Sequence, residues 1–192
     1  MRVIRLFSFV AARRGFDAVL RGEMIPELRA MPDLLDSYVG RQESDGPRIV
    51  ATVWDSRAAM VAAVGETLGV FHPEYLDDTT GQALEILDVR ASWQRPSEDP
   101  RILRILRGEV RPGELDVYAT EVERGVEQDA TDERGPTALY LGHSDGLAFV
   151  TVSAWREWSD IERATGGNIN RPRATSHPER LTTWEVEHFE IV

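Results

Sequence analysis

The chain is predicted to be an α+β protein made of two consecutive copies of one strand, helix, strand, strand, helix, strand module. Three observations predict it. The first is internal repetition. Tyr38-Val39-Gly40 followed by Ser44-Asp45-Gly46 returns as Tyr140-Leu141-Gly142 followed by Ser144-Asp145-Gly146; His72-Pro73-Glu74 returns as His177-Pro178-Glu179, and Leu84-Glu85-Ile86 as Trp184-Glu185-Val186. The offset stays near one hundred residues, the mark of a duplicated module. The second is a hydrophobic pattern that switches between strand and helix periods in the same order in both halves. The third is a polar, two-proline stretch without periodicity, Trp93-Gln94-Arg95-Pro96-Ser97-Glu98-Asp99-Pro100, which reads as a linker. These place the first copy at residues 1–93, the linker at 94–100 and the second copy at 101–192.

In the first copy, Val3 to Val10 is β-branched and aromatic enough for a strand. Gly15 then opens a helix through Phe16, Val19, Leu20 and Met24, which Pro26 is expected to kink or end. Leu34 to Gln42 and Arg48 to Trp54 form an antiparallel hairpin around Ser-Asp-Gly, a turn signal. Asp55-Ser56 caps a second helix through Met60, Val61 and Val64 that stops near Gly65, and Leu84 to Val89 is the last strand. The second copy repeats the order with Ile102 to Leu106, a helix from Gly113, strands Ala138 to Gly142 and Leu147 to Val152, a helix from about Trp155 to Gly166-Gly167, and a strand from Thr183 to Val192. This is the split βαβ, or ferredoxin-like, order. Strands such as Ile49 to Val53 and Leu147 to Val152 are apolar on both faces, so helices on one side are not their only cover. The other copy's sheet is expected on the second face.

Composition excludes several function classes. A net charge of -11 with no basic, aromatic-interleaved patch argues against nucleic acid and anionic membrane surfaces. The absence of cysteine removes disulfides, thiolate nucleophiles and cysteine metal sites. All 22 basic residues are arginine, which removes Schiff-base and P-loop lysine chemistry. Met1 to Leu6 has an arginine inside its apolar run and no small-residue cleavage site follows, which does not suit a signal peptide, and no apolar stretch reaches the roughly 20 residues of a membrane span. A cytoplasmic protein is the simplest expectation.

Two such modules packed sheet to sheet in one chain resemble the dimeric α/β barrel superfamily. The hairpin followed by Thr52-Val53-Trp54-Asp55-Ser56-Arg57 is similar to the antibiotic biosynthesis monooxygenase-like family. The resemblance covers both halves and implies an intrachain α/β barrel, a pseudo-dimer that is a monomer or homodimer in solution. It also implies ligands in the cavity between the second helix and the sheet. Activities in the family include cofactor-free oxygenation of aromatic polyketides and oxidative haem degradation. The haem-degrading members carry an asparagine on the first strand, a tryptophan in the second helix and a histidine about ten residues later. His72 suits the histidine, but Ala62 or Ala63 stands at the tryptophan and both asparagines, Asn168 and Asn170, lie far from either first strand. Haem degradation by that mechanism is therefore not expected.

His72 and His177, each before Pro-Glu, are candidate chemical groups or the start of a turn with proline at its first position. His143 and His188 occur only in the second copy, where the first has Arg41 and Asp88. The family's strand order puts them three strand spacings, roughly 14 Å, apart, so they do not share a metal. Either can serve as a lone acid or base. Trp155, Trp158 and Trp184 enrich the second half in indoles; the first two, three apart on a helix, are either core or the wall of a site for a flat aromatic ligand. Arg5 and Arg104 interrupt equivalent first strands and call for carboxylate partners, for which Asp88 and Glu187 are candidates; the alternative is an anchor for an anionic or enol-bearing ligand. Two functions follow. One is a binding protein for a small aromatic or hydrophobic ligand. The other is a monooxygenase without metal or organic cofactor, with His177 or His188 as base and Trp158 and Trp184 shaping the cavity.

Overall fold

The computed structural model describes residues 1–11, 15–43, 46–67, 79–95, 99–130, 134–144, 146–173 and 177–192. The chain divides into two compact units, residues 1–88 with 189–192 and residues 89–188.

In the first unit, strands β1 (Val3–Ala11), β2 (Leu34–Arg41), β3 (Pro47–Trp54) and β4 (Thr79–Gln94, as far as Asp88) lie in the order β4-β1-β3-β2, all antiparallel. The chain's last residues add to β2, with Gly40 opposite Ile191 and Arg41 opposite Glu190. The first helix differs from expectation. Pro26 neither ends nor breaks it: α1 (Phe16–Val19) runs through a π-helical segment (Leu20–Met24) into α2 (Ile25–Arg29). The wider π turn frees backbone acceptors ahead of a proline that has no N–H to give, so the helix continues with a local bulge. Ser56 caps α3 (Arg57–Val64) by accepting from the Ala59 N–H at 3.2 Å, and Gly65 ends it at φ 70. Phe9, Phe16, Leu20, Trp54, Met60 and Val64 form the core between helices and sheet. On the opposite face Ile4, Leu6, Ile49, Ala51 and Val53 are no more than 1% exposed, so the sheet is buried on both sides.

The second unit holds β5 (Ile102–Val110), β6 (Ala138–His143), β7 (Ala148–Trp155) and β8 (Leu181–Ile191, as far as His188) in the order β6-β7-β5-β8. Residues 89–94 of β4 lie beside β6, continued by the Arg95 N–H to Thr137 carbonyl bond at 2.8 Å. Helix α4 (Leu115–Ala130) packs through Tyr118, Ala119 and Val122 on Leu106, Leu141 and Phe149, and α5 (Trp158–Ala164) packs through Ile161 on Ile102 and Trp155. Here the α5 boundary moves: Trp155 closes β7, and the helix starts three residues later at Trp158. The two indoles therefore do not share a helix face. Trp155 stands opposite Ile102 as Trp54 stands opposite Val3, which settles its counterpart as Trp54. The last strands are also longer than their apolar runs, because backbone pairing extends past the residues that bury side chains. Ser44, Asp45, Asp145, residues 72–78 and residues 96–98 lie outside the described residues, so the first His-Pro-Glu segment, the first Ser-Asp pair and Asp145 of the second are not placed. Among the described residues no helix is long and apolar enough to cross a membrane.

Candidate functional site

On the helix side of the second unit's sheet, alternate residues of the strands point toward α4. Period two puts Arg104 and Leu106 of β5 beside Thr151 and Ser153 of β7, with Leu139 of β6 next to them. Two turns of α4 lie over this face with Tyr118, Glu121 and Val122, and Arg173 closes it. Between them is a cavity of about 30 Å³, room for one or two water molecules.

Arg104, at 2% exposure, is the most buried arginine among the described residues. Asp88 and Glu187 are not its partners. Glu187 binds Arg107, and Asp88 lies 3.8 Å from Arg57. A carboxylate on the neighbouring strand points to the other face when it is one residue out of phase, so strand adjacency alone did not make a pair. Arg104 donates instead to backbone carbonyls of the segment after α5: Nε and Nη2 to Ile169 at 3.4 Å, and Nη2 to Arg171 at 2.5 Å. Burial first, then the nearby Arg173 charge, lowers its pKa to about 10. The guanidinium still stays charged at neutral pH. Tyr118, 2% exposed, is held protonated because burial pushes its phenol well above its ordinary value. Glu121 is engaged by Arg180, which donates from Nε at 3.0 and 3.1 Å.

A hydroxyl links the strands at the floor. Ser153 Oγ donates to the Arg104 carbonyl at 3.3 Å and accepts from the Trp155 Nε1–H at 2.9 Å. The first unit has the same arrangement, Thr52 Oγ1 to the Arg5 carbonyl at 3.3 Å and Trp54 Nε1 to Thr52 at 2.9 Å. It has no equivalent of Tyr118. Counting five residues from the helix-opening glycines Gly15 and Gly113, at φ 80 and 81, Leu20 stands where Tyr118 does. Leu20 sits in the apolar core there, and Arg5 lies 5.8 Å over the Phe7 ring with no partner for its Nε among the described residues.

The structure separates the other sequence candidates. Trp155 is fully buried core, whereas Trp158 and Trp184 are 40% and 41% exposed. Trp158 meets the His188 ring at 5.2 Å. His188 has a buried Nε2 without a partner among the described residues. Desolvation and then the Arg104 charge lower its pKa to about 4, against a hydrogen bond to the Ile169 backbone, so the imidazole is neutral at physiological pH. His143 on β6 is separated from His188 on β8 by β7 and β5, and its Nδ1 lies 3.0 Å from the Ser144 carbonyl oxygen. His177 is exposed, at φ 42, with Nδ1 2.8 Å from Glu179, ahead of a 3₁₀ turn (Pro178–Arg180) that starts with the proline. His72 lies outside the described residues. Among the described residues no three His, Asp or Glu side chains converge as metal ligands would. The sequence alone does not point to Tyr118, Ser153 or Arg173. Aligning Thr52-Val53-Trp54 with Ser153-Ala154-Trp155 finds the serine; Tyr118 is one apolar-face residue among several and Arg173 lies in an irregular segment, so neither carried a signal.

No family model matches the chain, and no curated protein matches it. Solved structures do. A proposed monooxygenase from Lactobacillus acidophilus NCFM superposes with a TM-score of 0.78 at 12% identity over 99% of this chain and 93% of its own. The chain has the fold of these monooxygenase-like proteins. An anthrone oxidase-like protein gives 0.63 at 14% identity, covering 100% of this chain and 91% of its own. A ferredoxin-fold protein from Listeria monocytogenes 4b F2365, described as uncharacterized and related to antibiotic biosynthesis monooxygenases, gives 0.61 at 10% over 100% and 96%. At such identities the likeness is one of fold and transfers no residue roles.

Proposed function

We propose that this protein binds a small organic ligand in its second unit, on a scaffold of two copies of one ferredoxin-like module. The cavity between α4 and the sheet carries this reading, since it brings Arg104, Tyr118 and Thr151 together in a space bordered by Leu106, Val122 and Leu139. A mostly apolar lining with a few convergent polar groups is that of a small-molecule site, and at about 30 Å³ the cavity must widen to admit one. The first unit, with Leu20 in the core at the tyrosine's position, is scaffold. The test is titration calorimetry with a panel of small aromatic and aliphatic compounds against the native protein and Gly125→Leu, which fills the cavity from α4. Saturable binding to the native protein, lost in the variant while its circular dichroism is unchanged, is the expected result. Equal binding by both rejects the site.

His188 favours a second reading, a cofactor-independent monooxygenase acting on a small aromatic substrate. Its neutral imidazole and bare Nε2 suit a proton acceptor, although a pKa near 4 makes it a weak one. Against it, Trp54, Met60 and Val64 pack in the core on α3's side of the first sheet, and Trp155 and Ile161 pack together beneath α5. Oxygen uptake with model anthrones decides: consumption that His188→Gln abolishes supports catalysis, and none above buffer rejects it.

A further inference from the structure

We propose that the ligand of the second unit is a small uncharged molecule whose carbonyl oxygen is received by the hydroxyls of Tyr118 and Thr151. This rests on the ligand-binding reading and adds the chemical group and its partners.

The first support comes from setting the two copies side by side. Thr151 stands opposite Leu106 of β5 as Val50 stands opposite Phe7 of β1, so Thr151 and Val50 are equivalent. Tyr118 and Leu20 are equivalent by their distance from the helix-opening glycines. In the first unit both positions are apolar, and both belong to the core. The second unit carries a hydroxyl at each, and a buried hydroxyl is unfavourable unless something bonds to it. Tyr118 is 2% exposed and Thr151 9%. Neither hydroxyl has a partner among the described residues, and both residues line the cavity under α4.

The second support is the helix above them. Tyr118, Glu121, Val122 and Gly125 follow the i, i+3, i+4, i+7 spacing of one helix face, and all four line the cavity. Such a face fills the layer beneath it with side chains. Gly125 has none, although glycine inside a helix is less favourable than alanine, and the space beneath it stays open.

The third support is that the other polar groups of the lining are already engaged. Arg104 donates to the Ile169 and Arg171 carbonyls, Glu121 accepts from Arg180, and Arg173 has contacts of its own within the protein. Ser153 both donates and accepts. The two hydroxyls remain for a ligand. Burial keeps the Tyr118 phenol protonated and so an O–H donor, and a threonine hydroxyl donates as well. Two donors lining one space suit one oxygen that has two lone pairs and no charge to desolvate, that of a carbonyl. Leu106, Val122 and Leu139 then meet the carbon skeleton. At about 30 Å³ the cavity holds the oxygen end as it stands, and the skeleton widens it at Gly125, where no side chain has to move.

The probes are cyclopentanone, cyclopentane and cyclopentanecarboxylate, one ring bearing in turn a carbonyl, nothing polar and a charge, titrated calorimetrically into the full chain. The expected result is saturable cyclopentanone binding about 10- to 100-fold tighter than that of cyclopentane, as two neutral hydrogen bonds would give, with the carboxylate no tighter than cyclopentane. Tyr118→Phe and Thr151→Val each remove one hydroxyl with little change of shape, and the second installs the residue of the first unit's equivalent position. Each should weaken cyclopentanone by about 2- to 10-fold, leave cyclopentane unchanged and keep the native circular dichroism. Equal affinity for cyclopentanone and cyclopentane, abolished by Gly125→Leu, keeps the site but overturns the carbonyl. Tightest binding of the carboxylate overturns the uncharged ligand. Cyclopentanone binding that neither hydroxyl variant weakens overturns Tyr118 and Thr151 as its partners. Dissociation constants above roughly 1 mM for every probe overturn both this inference and the ligand-binding reading.

Discussion

At the scale of single residues, the hydroxyl under each tryptophan makes a sharp test. Ser153→Ala removes the hydroxyl that accepts from the buried Trp155 N–H, and a stranded donor of that kind costs about 1–3 kcal/mol. Urea unfolding followed by tryptophan fluorescence measures it. Ser153→Thr, which installs the residue found at the first unit's equivalent Thr52, should stay near native stability; a loss as large as that of alanine would show that packing and not the bond is being measured. His188 predicts a pH effect. Its folded pKa, about 4, is depressed below the ordinary 6.5, so between these values the unfolded chain binds the proton that the folded one refuses. Its contribution is therefore complete above pH 6.5 and is lost as pH falls toward 4, by up to about 3 kcal/mol. The charged group facing it is Arg104 of β5, with Trp158 of α5 and the Ile169 backbone completing its surroundings. His188→Gln should flatten the stability profile across that window, and an unchanged slope would refute the assignment. Arg104 was legible in the sequence as a charge interrupting an apolar strand. Its acceptors were not, because backbone carbonyls of an irregular segment leave no mark in residue types.

At the scale of elements, close approach explains one glycine. A Cβ on Gly108 of β5 would lie 2.8 Å from the Thr183 carbonyl oxygen of β8 and 2.9 Å from the Phe149 ring. Gly108→Ala should destabilise by about 1–3 kcal/mol, since backbone and a packed ring yield little. Ser56→Ala should cost about 0.5–2 kcal/mol by removing the α3 cap, seen as a lower urea midpoint with unchanged slope. The cap, the hairpins and the glycine stops were readable because each rests on local backbone chemistry. The passage of the first helix through Pro26 was not, since the π segment that admits it is held by Leu20, Met24 and Ile25 burying themselves against the sheet. The start of α5 shifted for a related reason: indole burial at the end of β7 holds Trp155 in extended backbone.

At the scale of the whole molecule, the chain's end belongs to its beginning. Phe189, 1% exposed, clusters with the first unit, and its Cβ comes within 2.6 Å of where a Cβ of Gly40 would be. Phe189→Ala should cost about 3–5 kcal/mol. The loss should appear first as faster hydrogen exchange in β2 and β3; uniform loss across residues 89–188 would contradict that placement. A stop after His188 should have the same signature. By itself the sequence determined the α+β class, the order of elements, the two-faced burial of the strands and the buried arginines, because periodicity and turn chemistry act within a few residues of one another. Tertiary structure alone decided that Arg104 lines a cavity under α4, which tryptophan is core and where the last four residues pack. Those outcomes depend on groups brought together from some 50 to 150 positions apart, such as Arg104 with Ile169 and Gly40 with Phe189. Burial and charge at such distances are properties of the assembled sheet and helices, not of any local stretch.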